Sequence, residues 1–284
     1  MIPYPQTMNK KRLRVALAQM NSSDSLTENL KTIARLTKAA KKRGASLAAF
    51  PENALLIAAD GRRNLDIALS DGSPPLQFLA DQAKKNQIYL VIGSVPWKTA
   101  KSPRPRVYNR TLVFGPTGRL LATYDKLHLF DSVLPDRVYR ESALVKCGDR
   151  VVLFRTPWGP IGLSICYDLR FPEIYRCLSA KGVRVVLIPS AFTVPTGKVH
   201  WDVLTRARAI ENQVFVLCPA QTGTHAGGRK TYGHTRVVDP WGELIAEKIL
   251  GVGLVVADLD FSKQDEIRAR LPVHEHRRKS YRIL

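Results

Sequence analysis

Glu52, Lys126 and Cys166 each stand just after a short apolar run that is predicted to form a β-strand. In open α/β sheets, ligands gather beyond the carboxyl ends of the strands, so these three side chains are expected to lie close together. A cysteine, a glutamate and a lysine in one place would supply a nucleophile, a general base and a cation that stabilises an oxyanion. Each signal alone is weak, because Glu52 could cap a helix and Lys126 is one of 44 basic residues.

Cys166 lies where a predicted strand runs into a predicted helix. Residues 161–165 read as a buried strand, and Pro172 can open a helix because its missing N–H costs nothing at the first helical position. Free backbone N–H groups at such a junction, including that of Tyr167, favour a thiolate and can stabilise an oxyanion. A nearby Lys126 is expected to lower the pKa of the thiol. The alternative is that Cys166 is a small buried hydrophobic residue.

The segments around these residues alternate between strands and helices. A strand over 13–20 precedes a helix that starts at the capping pattern of Ser25 and Glu28 and stops at Gly44, and a strand over 46–50 follows. This β-α-β order implies neighbouring parallel strands. The other expected helices cover 74–86, 172–181, 199–212 (Val203, Ala207 and Ile210 inward) and 261–270, and the other expected strands cover 88–95, 107–114, 119–124, 151–156, 183–189, 214–218, 234–239, 243–248 and 253–259.

This alternation predicts an α/β protein with two mixed β-sheets covered by helices, a four-layer α-β-β-α sandwich. No internal repeat or low-complexity linker divides the chain. We therefore expect a single domain over 13–270, with a short N-terminal extension over 1–12 and a basic C-terminal tail over 271–284.

Composition restricts the class of protein. The 284 residues are 45% hydrophobic, which is enough for one large domain, and no apolar run approaches the roughly 20 residues needed to cross a bilayer. The first twelve residues lack the apolar core of a secretory signal. The 4 cysteines show no Cys-x-x-Cys or zinc-ligand spacing. We expect a reducing, cytoplasmic location, with no metal and no cofactor.

The formal net charge of +20 is the compositional oddity. A charge of this size is also compatible with a non-catalytic module that binds nucleic acid, which is the alternative to an enzyme. Basic residues are spread along the chain, however, and the dense stretches over 101–119 and 274–282 are not interleaved with aromatic side chains. We expect a solvated basic surface, and nucleic acid is not the favoured partner. Duplex DNA binding with a steep salt dependence, and no amide hydrolysis, would favour the alternative.

Three motifs resemble the nitrilase superfamily of carbon–nitrogen hydrolases, in the same order and over essentially the whole chain. They are Phe-Pro-Glu-Asn at 50–53, Tyr-Asp-Lys-Leu-His-Leu-Phe at 124–130 and Cys-Tyr-Asp-Leu-Arg-Phe-Pro-Glu at 166–173. The resemblance implies the four-layer fold and a catalytic triad of Glu52, Lys126 and Cys166. It also implies that Glu141 is the second glutamate of the site and holds Lys126 or the nucleophile region in place.

Further segments at 189–193, 206–211 and 232–242 are similar to the Nit subgroup of this superfamily. The subgroup holds deaminated glutathione amidases and ω-amidases that act on α-ketoglutaramate, and the segment over 220–230 is more similar to the first branch. The resemblance therefore implies a thiol-dependent amidase that acts through a thioester on a linear amide of an α-keto or α-carboxylate acid, with deaminated glutathione as the leading substrate. An ω-amidase and an N-carbamoyl amino acid hydrolase remain the alternatives. A homodimer or larger homo-oligomer is also implied.

Arg170 and Thr193 are the expected substrate-binding residues. A guanidinium four residues after the nucleophile suits bidentate capture of a carboxylate, although an ion pair with Glu173 would be an equally ordinary use. His225 and Arg229 are weaker candidates for the far end of a peptide-like substrate, and they are as readily read as solvated loop residues. For the other charged and thiol side chains we predict structural roles. Arg206, Arg208 and Glu211 are expected to form an ion-pair network. Cys147, Cys177 and Cys218 are expected to be unreactive thiols.

Overall fold

The computed structural model describes residues 10–99, 105–135 and 137–278. Most of the expected extension over 1–12 and the end of the expected tail over 271–284 lie outside these residues. The strands are β1 Arg12–Gln19, β2 Leu47–Ala49, β3 Tyr89–Lys98, β4 Val107–Phe114, β5 Leu120–Asp125, β6 Asp131–Val133, β7 Val138–Arg140, β8 Val145–Lys146, β9 Leu153–Thr156, β10 Gly159–Leu163, β11 Val185–Leu187, β12 Phe215–Cys218, β13 Thr222–Thr224, β14 Lys230–Tyr232, β15 Thr235–Val238, β16 Leu244–Lys248 and β17 Gly253–Asp260.

The helices vary from single turns to a helix of 17 residues. They are α1 Leu26–Lys42, α2 Arg63–Asp66, α3 Pro74–Asn86, α4 Pro172–Ala180, α5 Val194–Thr196, α6 Asp202–Asn212, α7 Phe261–Arg270 and α8 Val273–His276, with 3-10 turns at Glu141–Ala143, Cys166–Arg170 and Ala226–Gly228 and a π-helical turn at Gly197–Trp201. No helix in the described part of the chain has the length and apolarity needed to cross a bilayer.

Two mixed sheets form the centre of the molecule. The first has the order β17-β1-β2-β3-β4-β5, with β8 beside β4, and the second has the order β16-β15-β12-β11-β10-β9. In each sheet three consecutive strands are parallel, β1-β2-β3 in the first and β10-β11-β12 in the second, while the flanking hairpin strands are antiparallel. The predicted mixed α-β-β-α architecture is confirmed.

Burial explains why the central strands are apolar on both faces. Leu13, Val15 and Leu17 of β1 pack in the core cluster shared by the two sheets, whereas Ala16 and Ala18 face a cluster formed with the helices α1 and α3. Strands covered on both faces read as continuous apolar runs, which is why the sequence showed them clearly. The side chains of Ile174, Tyr175 and Leu178 bring α4 onto the second sheet.

Two expectations about the segment over 190–212 are wrong. Helical structure begins at Val194 and not at 199, because Thr193 is extended and Pro195 can occupy the first turn. Two of the three residues predicted to face inward are exposed, since Val203 has 64% and Ile210 50% of its surface accessible, while Ala207 is half-buried. The buried residues of α6 are instead Thr205, Arg208, Ala209 and Asn212. The predicted domain boundaries stay a prediction.

Candidate active site

One cavity of about 290 Å³ is lined by all seven residues predicted for the site. They are Glu52, Lys126, Glu141, Cys166, Tyr167, Arg170 and Thr193. Glu52 follows β2, Lys126 follows β5 and Cys166 follows β10, so the ends of strands from both sheets meet here. Glu141 comes from the 3-10 turn after β7, next to the hairpin of β6 and β7. The structure therefore brings these side chains together as the sequence predicts.

The backbone at Cys166 makes the sharp turn that the sequence predicts. Its φ is +46°, in the left-handed region that costs a non-glycine residue about 1–3 kcal/mol and is common at functional sites. The N–H of Cys166 donates to the Pro189 carbonyl at 3.0 Å, which fixes the turn against the neighbouring strand end. Tyr167 is the second residue of the 3-10 turn that starts here, and the first N–H groups of such a turn have no partner within it.

The carboxylate of Asp168 ties this turn to the segment that carries Lys126. Asp168 is fully buried. Its Oδ2 accepts from the Ile165 N–H at 2.9 Å and the Tyr124 hydroxyl at 2.7 Å. Its Oδ1 accepts from the backbone N–H of His128 at 3.0 Å and lies 2.8 Å from His128 Nδ1. Because Tyr124 and His128 flank Lys126, Asp168 sets the position of the lysine relative to the cysteine.

Lys126 is buried between two carboxylates. Its Nζ lies 2.8 Å from Glu52 Oε1 and 2.9 Å from Glu141 Oε2. Glu141 also accepts from the Phe130 N–H at 2.6 Å, so the segment between Lys126 and Glu141 is tied back to the Glu141 carboxylate. Removing two acidic groups and an ammonium from water is costly unless they pair and satisfy their hydrogen bonds, as they do here. The predicted partnership of Glu141 with Lys126 is thus present in the geometry.

Two groups that the sequence reading missed also hold Glu52. The Asn109 amide donates to Glu52 Oε1 at 3.0 Å and to Glu141 Oε1 at 3.1 Å, and the Ala191 N–H donates to Glu52 Oε2 at 2.9 Å. A signal for Asn109 exists in the sequence, because it places a polar amide in the buried alternation that Val107, Thr111 and Val113 continue in β4. A backbone N–H donor such as that of Ala191 cannot be recognised from the residue type in the sequence.

Gly93 in β3 allows the backbone before Glu52 to come close. A Cβ at Gly93 would lie 2.1 Å from the Phe50 carbonyl oxygen and 2.6 Å from that of Pro51. The next residue, Ser94, accepts from the Asn53 N–H at 2.8 Å through its Oγ. Glycine is thus needed here for close backbone approach, and the contact fixes the turn that presents Glu52.

The electrostatics keep the glutamate ionised and the lysine charged. Burial raises the pKa of Glu52, but the adjacent Lys126 charge and hydrogen bond, together with the Arg229 charge, bring it below the ordinary value. Burial lowers the pKa of Lys126, and the charges of Glu141 and Glu52 overcome that effect and raise it. An ionised carboxylate beside a permanent ammonium is therefore the resting state of this pair.

The expectation of a lowered thiol pKa is wrong. Burial raises the pKa of Cys166, the negative charge of Glu52 raises it further, and the Lys126 charge lowers it by less than these two together. The predicted effect of the lysine is present but is not the largest. Cys166 rests as a neutral thiol next to an ionised carboxylate, so a proton transfer must accompany any nucleophilic attack.

Arg170 faces the cavity and has a partner that the sequence did not suggest. Both terminal nitrogens of its guanidinium lie 3.2 Å from His200 Nδ1, and Glu173 is not its partner. Its Cζ also lies 5.6 Å from the ring centre of Phe192. Arg170 belongs to the 3-10 turn before α4. Thr193 Oγ1 lies 2.7 Å from Thr196 Oγ1, which also lines the cavity.

Of the two weaker candidates for substrate binding, His225 and Arg229, only Arg229 lines the cavity. His225 is buried, with Nδ1 2.9 Å from the Ser22 carbonyl oxygen and Nε2 2.7 Å from Thr231 Oγ1, so it is neither a lining residue nor a solvated one. Burial lowers its pKa. Arg229 does line the cavity, and its Nη2 donates to the Ala191 carbonyl at 3.1 Å. Arg229 therefore holds the carbonyl of Ala191, the residue whose N–H donates to Glu52.

The remaining structural readings hold in part. Arg208 pairs with Glu211 at 3.0 Å, but Arg206 pairs with Asp202 at 3.0 Å, so the expected three-residue network does not form. All four cysteines are free, with Cys147 and Cys177 exposed and Cys218 buried. Within the described ranges no three His, Cys, Asp or Glu side chains cluster as metal ligands would. The absence of a metal and of a cofactor stays a prediction.

Comparison with known proteins gives a consistent result. The carbon-nitrogen hydrolase family model matches residues 14–269. The chain is 40% identical over 265 residues to a deaminated glutathione amidase of Synechocystis sp., covering 92% of this chain and 97% of the relative. It is 36% identical over 267 residues to omega-amidase NIT2 of Bos taurus, covering 93% and 95%.

A solved structure has the same fold. Nit3 of Saccharomyces cerevisiae, described as a member of branch 10 of the nitrilase superfamily, superimposes with a TM-score of 0.83 at 31% identity, covering 93% of this chain and 95% of the other. With a family model spanning nearly all described residues and relatives aligned along their whole length, the chain belongs to the carbon-nitrogen hydrolase family, in the Nit subgroup of the nitrilase superfamily.

Proposed function

We propose that the protein hydrolyses a linear amide of an α-keto acid, with deaminated glutathione as the favoured substrate, through a thioester on Cys166. The observation that carries the proposal is the buried Lys126 between Glu52 and Glu141, in the same cavity as the Cys166 thiol. A Synechocystis relative bears the name of this activity. The chemistry of an amidase needs a nucleophile, a base and an oxyanion donor, and these residue types supply all three.

In the first half-reaction, Glu52 takes the thiol proton as the Cys166 sulfur attacks the amide carbon. The electron pair of the carbonyl moves onto oxygen, where the Lys126 ammonium and the Tyr167 N–H donate to it. A preorganised donor of this kind lowers the barrier by about 2.7–4 kcal/mol. The intermediate then collapses, the carbon–nitrogen bond breaks, and the protonated Glu52 gives its proton to the departing amine. A thioester remains on Cys166.

In the second half-reaction, a water molecule attacks the thioester. Glu52, ionised again, takes a proton from that water, and general-base help of this kind is worth about 10²–10⁴-fold. The carbon–sulfur bond breaks, the acid product leaves, and the thiol recovers its proton from Glu52. Asn109, Ala191 and Glu141 act as positioning groups, because they contact Glu52 or Lys126.

Arg170 and Thr193 are proposed to bind the carboxylate of the acyl part. Both line the cavity, and the guanidinium of Arg170 lies against His200 Nδ1, with no acidic side chain of the described residues paired to it. Its positive charge is therefore free to pair with a substrate anion. A planar guanidinium can bind both oxygens of a carboxylate at once.

Replacement of Cys166 by alanine tests the proposal. We expect loss of deaminated glutathione hydrolysis in Cys166→Ala, with the folded state retained. The exposed Cys177 provides the matched control, because Cys177→Ala removes a thiol far from the reacting groups. Residual turnover within about tenfold of the parent would exclude Cys166 as the nucleophile.

An ω-amidase is the second candidate, because a bovine relative carries that name at 36% identity. Its substrate, α-ketoglutaramate, has the same α-keto acid end, and its leaving group is ammonia. The rates of Cys-Gly release from deaminated glutathione and of ammonia release from α-ketoglutaramate decide between the two. A higher kcat/KM for α-ketoglutaramate would overturn the favoured substrate while leaving the amidase chemistry in place.

The exposed apolar stripe of Val199, Val203 and Ile210 supports a homodimer. Trp241, which is 58% exposed, adds to this surface, since Gly242 lies against Ile210. Exposed apolar patches of this kind commonly mark interfaces. Sedimentation of the wild type should show a dimer, and Val203→Glu should shift it to monomer. A monomeric wild type would contradict the proposal.

A further inference from the structure

The cavity carries more positive than negative charge. Five cationic side chains line it, namely Lys126, Arg137, Arg140, Arg170 and Arg229, and the carboxylates that line it are Glu52 and Glu141. Lys126 contacts both glutamates, and the charge of Arg229 acts on Glu52. Arg170 is assigned above to the acyl carboxylate. Arg137 and Arg140 are left without a role in the proposed reaction.

Neither of these two arginines forms a salt bridge with another residue of the described ranges. Arg137 lies over the ring of Tyr139, with 5.9 Å between its Cζ and the ring centre. Arg140 stands opposite Asp131 in the hairpin of β6 and β7. The Asp131 carboxylate accepts from the Ser142 hydroxyl at 2.5 Å and from its N–H at 3.0 Å, and these bonds, helped by the Arg140 charge, lower the pKa of Asp131. Both guanidiniums are exposed, so they lie at the outer part of the cavity.

The hairpin is held at a fixed position beside the nucleophile. Phe130, directly before β6, packs on Tyr167 with ring centres 5.0 Å apart and on Tyr139 with ring centres 5.1 Å apart. Its N–H donates to Glu141 at 2.6 Å. A hairpin anchored at both the cysteine turn and the second glutamate can present its side chains to a substrate that protrudes from the cavity.

We propose that Arg137 and Arg140 form a second carboxylate subsite, which binds the leaving group of the amide. This inference rests on the proposed function and deepens it. Because the acyl carboxylate is assigned to Arg170 on the cysteine turn, the two hairpin arginines are left for the group on the other side of the scissile bond. The preferred substrates are amides whose departing amine carries a carboxylate of its own, as an amino acid or a short peptide does. Primary amides, which release ammonia, cannot use this subsite.

A pair of substrates that differ by one charge tests the subsite. One is deaminated glutathione with its free C-terminal carboxylate, and the other is the same molecule with a C-terminal carboxamide. We expect the wild type to prefer the carboxylate in kcat/KM by about 3- to 30-fold, the range of two exposed ion pairs. In R137A/R140A this preference should fall to about one, whereas R137K/R140K should keep most of it.

Arg35 and Arg43 serve as the matched control. They are exposed on and after α1, they do not line the cavity, and R35A/R43A removes the same two charges from the net total. We expect R35A/R43A to show the wild-type preference. Equal loss of preference in the control would assign the effect to net charge and would overturn the subsite.

The outcomes separate the two proposals. An unchanged carboxylate preference in an active R137A/R140A would overturn the subsite and leave the amidase in place. Absence of turnover of both amides by the wild type would overturn the proposed function. In that case binding of the two molecules to the wild type, measured by calorimetry, decides the subsite, because a carboxylate preference that R137A/R140A abolishes supports it and its absence overturns it.

Discussion

The Tyr124 hydroxyl donates to the Asp168 carboxylate at 2.7 Å, and this contact joins the strand end before Lys126 to the turn that begins at Cys166. Both residues are buried; Tyr124 lies in β5 of the first sheet and Asp168 in the 3-10 turn that follows β10 of the second. Burial raises the pKa of Tyr124, and the charge and hydrogen bond of Asp168 raise it further, so the tyrosine stays a donor over the whole useful pH range. The distance between nucleophile and lysine thus depends on a buried hydrogen-bond network.

Asp168→Asn is expected to destabilise the protein by about 2–6 kcal/mol, because two donors lie at each carboxylate oxygen. An amide nitrogen in place of one carboxylate oxygen would face donors on Tyr124, Ile165 or His128, and each buried group left unpaired costs about 1–3 kcal/mol. Urea unfolding monitored by circular dichroism measures the change. Asp239→Asn, at a more exposed turn, is the control. A midpoint within error of the wild type would show that the network contributes little.

Asn109→Leu is expected to lower kcat by about 10- to 100-fold, since it removes two charge-assisted hydrogen bonds of about 1.5–3 kcal/mol each and leaves Glu52 less well oriented. The effect should fall on kcat more than on KM, because Asn109 contacts Glu52 and Glu141. Steady-state kinetics measures it. Asn64→Leu changes another amide that lines the cavity but contacts Gly61, and it should be milder. Equal effects of the two variants would contradict a positioning role.

The site shows which features a sequence can reveal. Glu52, Lys126 and Cys166 were found because each is a polar residue directly after an apolar run, a local signal. Asn109 was missed because its role depends on a neighbouring loop and on Glu52, far away in the chain. The outward face of Val203 and Ile210 was also missed, since periodicity at helical spacing does not tell a core from an interface. The sign of the thiol pKa shift required the burial of Cys166, which no local pattern gives.

Glu52→Gln is expected to lower the pKa of the Cys166 thiol while abolishing turnover. The glutamate charge raises that pKa and the lysine charge lowers it, so removing the glutamate leaves the lysine effect unopposed. The thiolate absorbance near 240 nm, titrated against pH, reports the change. Subtracting the titration of E52Q/C166A removes the exposed Cys147 and Cys177. A thiol in Glu52→Gln that titrates at or above the wild-type value would contradict this account.

The pH dependence of kcat/KM should show an acid limb below 4.5, the ordinary value for a glutamate. Glu52 must be ionised to accept the thiol proton, and its pKa is lowered in the folded protein despite burial. The same shift stabilises the fold above the unfolded value near 4.5, and this contribution is lost as the pH falls through the lower folded value. The carboxamide form of the substrate is preferred for this profile, because it lacks the C-terminal carboxylate that would titrate in the same acidic range.

Arg229→Met should move that acid limb to higher pH. The charge of Arg229 is one of the causes that lower the pKa of Glu52, and its guanidinium also holds the Ala191 carbonyl. Arg35→Met removes an equal charge from the exposed face of α1 and should leave the limb at the wild-type position. An acid limb above 4.5 in the wild type would reject Glu52 as the titrating base. If the acid limb of Arg229→Met lies at the wild-type pH, the Arg229 charge does not lower the pKa of Glu52, and the role of Arg229 is its hydrogen bond to Ala191.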